Sequence, residues 1–268
     1  MHQSGQARST VVGCSCSLRA PSGWPWHPGQ VTWKALLTGD KTDLESLSMI
    51  FSDGDPKVSV EADGNYFLES AAFDSTDAAA DMAEAERVLT MMNGAAKAQD
   101  PSQRAVRLAG RFQSEDGRQH VVAGTATLTA RTRCSAQATV VGSGGVPIEP
   151  PPPPALVWQA LASANENVAD VLRLLASDDL DWMALYKVVE IIESDVGGGE
   201  EAIRRQGWAT KAQQKAFGTS ANHQEASGDS ARHARMLGTP NHTMTLAEGR
   251  TFVHGLVQKW LSWRTENP

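Results

Sequence analysis

Apolar and polar positions change rhythm several times along the chain, and each change marks an element. VTWKALLTG, from Val31, alternates as a half-buried strand does. In DKTDLESLSMIF, Leu44, Leu47 and Ile50 recur at helical spacing, with Thr42 or Asp43 placed to cap the first turn. KVSVEADGNYFLESAAF reads as two short strands around Asp63-Gly64, a dipeptide suited to the left-handed backbone of a tight hairpin turn. STDAAADMAEAERVLTMMNGAAKA is rich in Ala and begins at Ser75 or Thr76. Its Met82, Ala85, Val88, Leu89 and Met92 lie along one helical stripe. RAVRLAGRFQ, RQHVVAGTATLTARTR and SAQATVV then read as strands, the first two joined at SEDGR.

The order β-α-β-β-α-β, with one or two further strands, predicts a ferredoxin-like α+β domain over residues 31–142. That fold hosts many unrelated functions and implies no activity. GSGGVPIEPPPPP follows: Gly and Ser loosen the chain, and the Pro run stiffens it into an extended spacer. This predicts a linker over 143–154, and no Arg or Lys flanks the prolines to make them a ligand for a partner domain.

Beyond the prolines the period is helical. Val157, Leu161, Ala164, Val168, Val171, Leu172 and Leu175 form one stripe. Asp181 opens DWMALYKVVEIIESD, with Trp182, Leu185, Val189 and Ile192 on one face, and VGGGE ends it. EEAIRRQGWAT and KAQQKAFGTSAN read as short helices. TLAEGRTFVHGLVQKWLSW begins with a capping box, Thr245 to Glu248. Residues 155–268 therefore predict an all-α bundle, with Trp158, Trp182, Trp208 and Trp260 at core positions.

Residues 1–30 are rich in Ser, Gly, Pro and Gln without periodicity and read as a disordered tail. The abrupt onset of pattern at Val31 suggests the hypothesis that the native chain starts there, from a GTG codon. Peptides from 1–30 in the cellular protein would refute it.

Composition narrows the class. Apolar residues make up 41% and charged residues 21% of 268, enough for a substantial core. A net charge of −7 argues against a chain built to coat nucleic acid or anionic membrane. The charge is uneven: residues 31–100 hold 14 acidic against 5 basic side chains, and residues 200–264 hold 5 against 9. The three cysteines, Cys14, Cys16 and Cys134, give no disulfide framework. With no run near the ~18 apolar residues of a membrane span, and no apolar signal core, the expected location is cytoplasmic.

One stretch concentrates chemistry. ANHQEASGDSARHAR places His223, Glu225, Asp229, Arg232, His233 and Arg235 within a short span. On a helix opened by Asn222 with Glu225 at N3, Glu225, Asp229 and His233 share a face. An Asp four residues before a His can orient its ring. Two readings follow. In the first the stretch is a surface helix whose binding candidates are His223, Glu225, Asp229, Arg232, His233 and Arg235. In the second, His223, Asp229, His233 and His254 hold a divalent metal ion and Glu225 activates water, as in a metal-dependent hydrolase. No HExxH, nucleophile elbow or phosphate-loop motif accompanies them. His242 follows a Pro and falls in a loop.

LYKVVEIIESDVGG, GWAT, ANHQEASGDSARHAR and MTLAEGRTFVHGLVQKWL resemble a group of uncharacterised bacterial proteins over roughly residues 180–264. The resemblance implies a bacterial, soluble context and no particular activity. The expectation is a two-domain protein without catalysis: an interaction or ligand-sensing module, with no cofactor, and with a protein partner or a second copy of itself. A metal-dependent hydrolase at His223–His254 is the alternative. Nucleic-acid binding through residues 204–235 is the second.

Overall fold

The computed structural model describes residues 33–73, 77–114, 119–121, 151–224 and 241–267. β1 (Trp33–Thr38) buries alternate side chains, with Trp33, Ala35 and Leu37 inside. α1 (Lys41–Ile50) is capped by Asp40, which accepts from the Thr42 amide at 3.0 Å. Thr42 and Asp43 are therefore not the cap; Asp43 is buried and serves another purpose, described below. β2 (Lys57–Val60) and β3 (Tyr66–Glu69) pair as the expected hairpin, and Gly64 takes the left-handed conformation at φ 84°.

α2 (Ala78–Gln99) starts at Asp77, which accepts from the Ala79 amide at 2.9 Å. β4 (Arg107–Ser114) and β5 (Gln119–Val121) complete a sheet of order β2-β3-β1-β4-β5, every neighbouring pair antiparallel. The strands expected after Val121 lie outside the described residues.

The second half is helical: α3 (Pro154–Ala162), α4 (Glu166–Leu175), α5 (Trp182–Val196), α6 (Gly199–Arg205), α7 (Lys211–Asn222) and α8 (Leu246–Glu266). The stripe from Val157 to Leu175 is broken between α3 and α4, where Asn165 caps α4 by accepting from the Val168 amide at 3.1 Å. Pro154 sits in the first turn of α3, where its missing N–H costs nothing. Asp181 caps α5, Gly197 ends it at φ 71°, and the Thr245–Glu248 capping box opens α8, all at the expected places.

One hydrophobic core runs through both halves, joining Leu47, Leu68 and Phe112 to Trp158, Leu172, Ile192 and Trp260. α2 is the shared wall. Every residue from Met91 to Ala98 is buried, and α3 and α4 pack against it. Gly94 makes the approach possible: a Cβ there would stand 2.0 Å from the Leu172 carbonyl oxygen. Two further tethers cross the same seam. The Ala155 amide donates to Gln99 Oε1 at 3.1 Å, and Gln258 Nε2 donates to the Ala98 carbonyl at 3.1 Å.

Candidate functional site

The loop from α2 to β4 is fixed from three directions. Arg104, Ala105 and Val106 present consecutive backbone N–H groups. They donate to Asp43 Oδ1 (3.2 Å), Asp178 Oδ1 (3.1 Å) and Asn93 Oδ1 (2.9 Å), side chains from α1, the α4–α5 loop and α2. Gln103 Nε2 donates to the Asp43 carbonyl at 2.9 Å, and Asn93 Nδ2 returns a bond to the Val106 carbonyl at 2.8 Å. Asp43, Asn93 and Gln103 are all buried, so the Asn93–Val106 pair and the Gln103–Asp43 bond satisfy groups that water does not reach. A loop held this way is a rigid wall.

Lys97 stands behind that wall. It is the single cation in the buried run Met91–Ala98, and its Nζ donates to Asp178 Oδ1 and to the Ser177 carbonyl, both at 2.8 Å. Burial raises the Asp178 carboxyl pKa. The bonds from Lys97 and the Ala105 amide, with the nearby Lys97 and Arg104 charges, outweigh it and leave the group below the ordinary carboxylate range. Asp178 is thus a fixed anion that joins α2, the β4 approach and the α4–α5 loop.

A cavity of about 330 Å³ opens at this junction. Leu175, Leu185 and Val253 are its deeply buried apolar members. Arg104, Asp179, Arg250 and Ser102 supply exposed polar side chains, and His254 joins from α8. Arg250 is steadied by its Nε bond to the Leu180 carbonyl at 2.8 Å. The lining is mixed, with polar and charged residues beside Pro101, Leu175, Leu180, Leu185 and Val253, and concave hollows of this kind are where small molecules bind.

His254 is half-buried. Burial lowers its pKa from 6.5, against the carbonyls of Lys97 and Ala98, which favour the charged ring. The ring is therefore neutral at neutral pH. Its Nε2 is buried and has no hydrogen-bond partner among the described residues. A buried polar atom left without a partner costs about 1–3 kcal/mol.

The expected site residues are placed as follows. His223 is buried as the C-cap of α7, its amide donating to the Thr219 carbonyl at 3.1 Å. Asn222 is the last residue of α7, not an N-cap. Its N-cap chemistry is not used there, because α7 runs through Asn222 and His223 is its C-cap. Glu225, Asp229, Arg232, His233 and Arg235 lie outside the described residues. His242 lies in a loop, as expected, with φ 60°. Among the described residues no three His, Cys, Asp or Glu side chains gather as a metal-holding group. His254 instead joins Lys97, Arg104, Asp178 and Arg250, none of which the sequence pattern had singled out for a site.

Two further electrostatic centres lie elsewhere. Asp195 is buried at the end of α5. Its carboxylate accepts from Asn167 Nδ2 (2.6 Å), Trp260 Nε1 (2.8 Å) and both Nε (2.5 Å) and an Nη (2.7 Å) of Arg264. Burial pushes this carboxyl up, but those donors prevail and hold it below the ordinary range. Glu193, also on α5, moves the other way. Burial first, then the Glu200 and Glu190 charges, push it up to about 7, with Arg204 opposing.

No described helix is long and apolar enough to cross a membrane. Comparison with protein-family models, with curated proteins and with solved structures found no match.

Proposed function

We propose that this chain is a non-catalytic, cytoplasmic ligand-sensing module: a ferredoxin-like α+β part carrying a helical bundle, with the sensing site at the cavity between them. The strand order β2-β3-β1-β4 with two connecting helices supports the first element. The packing of α3 and α4 on α2 supports the second.

The observation that carries the functional reading is the cavity beside His254. It combines a pinned loop, an ion pair between a buried lysine and a partly exposed aspartate, apolar side chains and two arginines without an acidic partner among the described residues. Preformed walls lower the ordering cost of binding. A signal received there has a physical route, because α2 belongs to both halves of the core. A protein partner or second copy would then read the liganded state.

The test is a thermal-shift screen of small metabolites against the wild type and Ser102→Trp. Ser102 is exposed at the cavity, so an indole there blocks entry without disturbing the core. A compound that raises the midpoint of the wild type and not of Ser102→Trp supports the reading. Equal shifts in both proteins contradict it.

A further inference from the structure

The charges around the cavity are not balanced. The chain as a whole carries −7, yet the cavity gathers Lys97, Arg104 and Arg250 against Asp178 and Asp179. Lys97 and Asp178 neutralise each other in their ion pair. That leaves two arginines and one aspartate in the lining, an excess of positive charge within an acidic protein.

The two arginines are also uncommitted. Among the described residues Arg87, Arg173, Arg204, Arg205 and Arg264 each have an acidic partner. Arg104 is near enough to Asp178 to influence it but forms no ion pair there, since Asp178 is taken by Lys97 and the Ala105 amide. Arg250 uses its Nε on the Leu180 carbonyl and keeps the rest of its fork available. A guanidinium anchored to backbone at Nε is held in place to offer its Nη groups to a carboxylate. The apolar floor that keeps surface to contact is Pro101 and Leu180, since Leu175, Leu185 and Val253 are almost wholly buried. A hydrated inorganic anion gains nothing from such a floor, whereas a hydrocarbon body does.

We propose that the cavity takes a small organic carboxylate with an apolar body, its carboxylate held by Arg104 and Arg250 and its hydrocarbon part on Pro101 and Leu180. Asp179 disfavours a second negative charge, which makes monocarboxylates better ligands than dicarboxylates. This assignment rests on the reading of the cavity as a binding site.

Isothermal titration with charge-matched sets tests it: hexanoate and phenylacetate, their neutral amides, the corresponding amines, and inorganic phosphate. The carboxylates bind the wild type at least tenfold more tightly than the amides. In Arg104→Met/Arg250→Met that advantage disappears while amide binding persists, which shows that the cavity is still formed. Amides or amines binding as tightly as carboxylates, or phosphate binding more tightly, overturns the carboxylate assignment and leaves the cavity reading standing. If no compound of any charge binds at millimolar concentration, the cavity reading falls and this inference falls with it.

Discussion

Lys97 Nζ lies 2.8 Å from Asp178 Oδ1, a contact that spans 81 positions of sequence and joins the sheet-bearing half of the protein to the helical half. The lysine side chain is 9% exposed and the aspartate 31%. Removing one partner of a buried pair costs more than the pair contributes, because the other charge stays behind. Asp178 retains some access to water, so Lys97→Met is expected to lower stability by about 2 kcal/mol. Urea denaturation measures this. The double variant with Asp178→Asn is expected to lose less than the sum of the two single losses.

Gly94 opposes helix propensity to packing. Ala is favoured over Gly in a helix interior by about 1 kcal/mol, but a Cβ at Gly94 meets the Leu172 backbone, which cannot yield as a side chain would. Gly94→Ala is therefore expected to destabilise by more than about 2 kcal/mol. Gly255 in α8 has open space around its missing Cβ. Gly255→Ala is expected to stabilise by up to about 1 kcal/mol. Matched denaturant midpoints compare the two directly.

Local signals in the sequence were readable where chemistry and structure are close together. Asp181, the Thr245–Glu248 box and the Asp63-Gly64 turn mark their elements because a cap or turn is decided within about four residues. Asp43 shows the limit: it has the right composition for a cap, but Asp40 takes that position and Asp43 turns inward to hold Arg104. Asn222 fails for a similar reason, since a residue suited to opening one helix also fits the last turn of another. The cavity was not legible, because its walls come from segments far apart in sequence. The one available hint was Lys97, the single charge in the otherwise uncharged stretch TMMNGAAKA. A helix without a polar face is buried, and a lysine on it needs an anion.

Asp195 links pH to stability. Its folded-state pKa lies below the unfolded value, so its contribution is present above about pH 4 and is lost as pH falls through the folded value. Asp195→Asn is expected to cost about 3 kcal/mol at neutral pH, since Arg264 stays largely buried without its counter-charge. The same variant should lose less of its remaining stability on acidification than the wild type. Urea titrations at neutral and acidic pH measure both effects.

Glu193 has the opposite sign. With a folded pKa of about 7, above its unfolded value, its stabilising contribution belongs to the protonated form and is lost as pH rises through about 7. Glu193→Gln is therefore expected to be the more stable protein at about pH 8, by up to about 1 kcal/mol after screening at this half-exposed position. The two should become equal only below the unfolded value, at about pH 4. Thermal midpoints at the two pH values are the check.

The central claim is that the hollow beside His254 receives a ligand, and the ring itself is the most direct reporter. Nitrogen-15 spectra of His254, recorded across about pH 5 to 8 with and without phenylacetate, follow both its protonation and its contacts. The free protein should show an imidazole that titrates below its ordinary value, and saturating phenylacetate should shift the ring's resonances and its titration, an effect absent in Ser102→Trp. A ring that titrates like an exposed histidine and ignores the carboxylate at every pH would contradict the account.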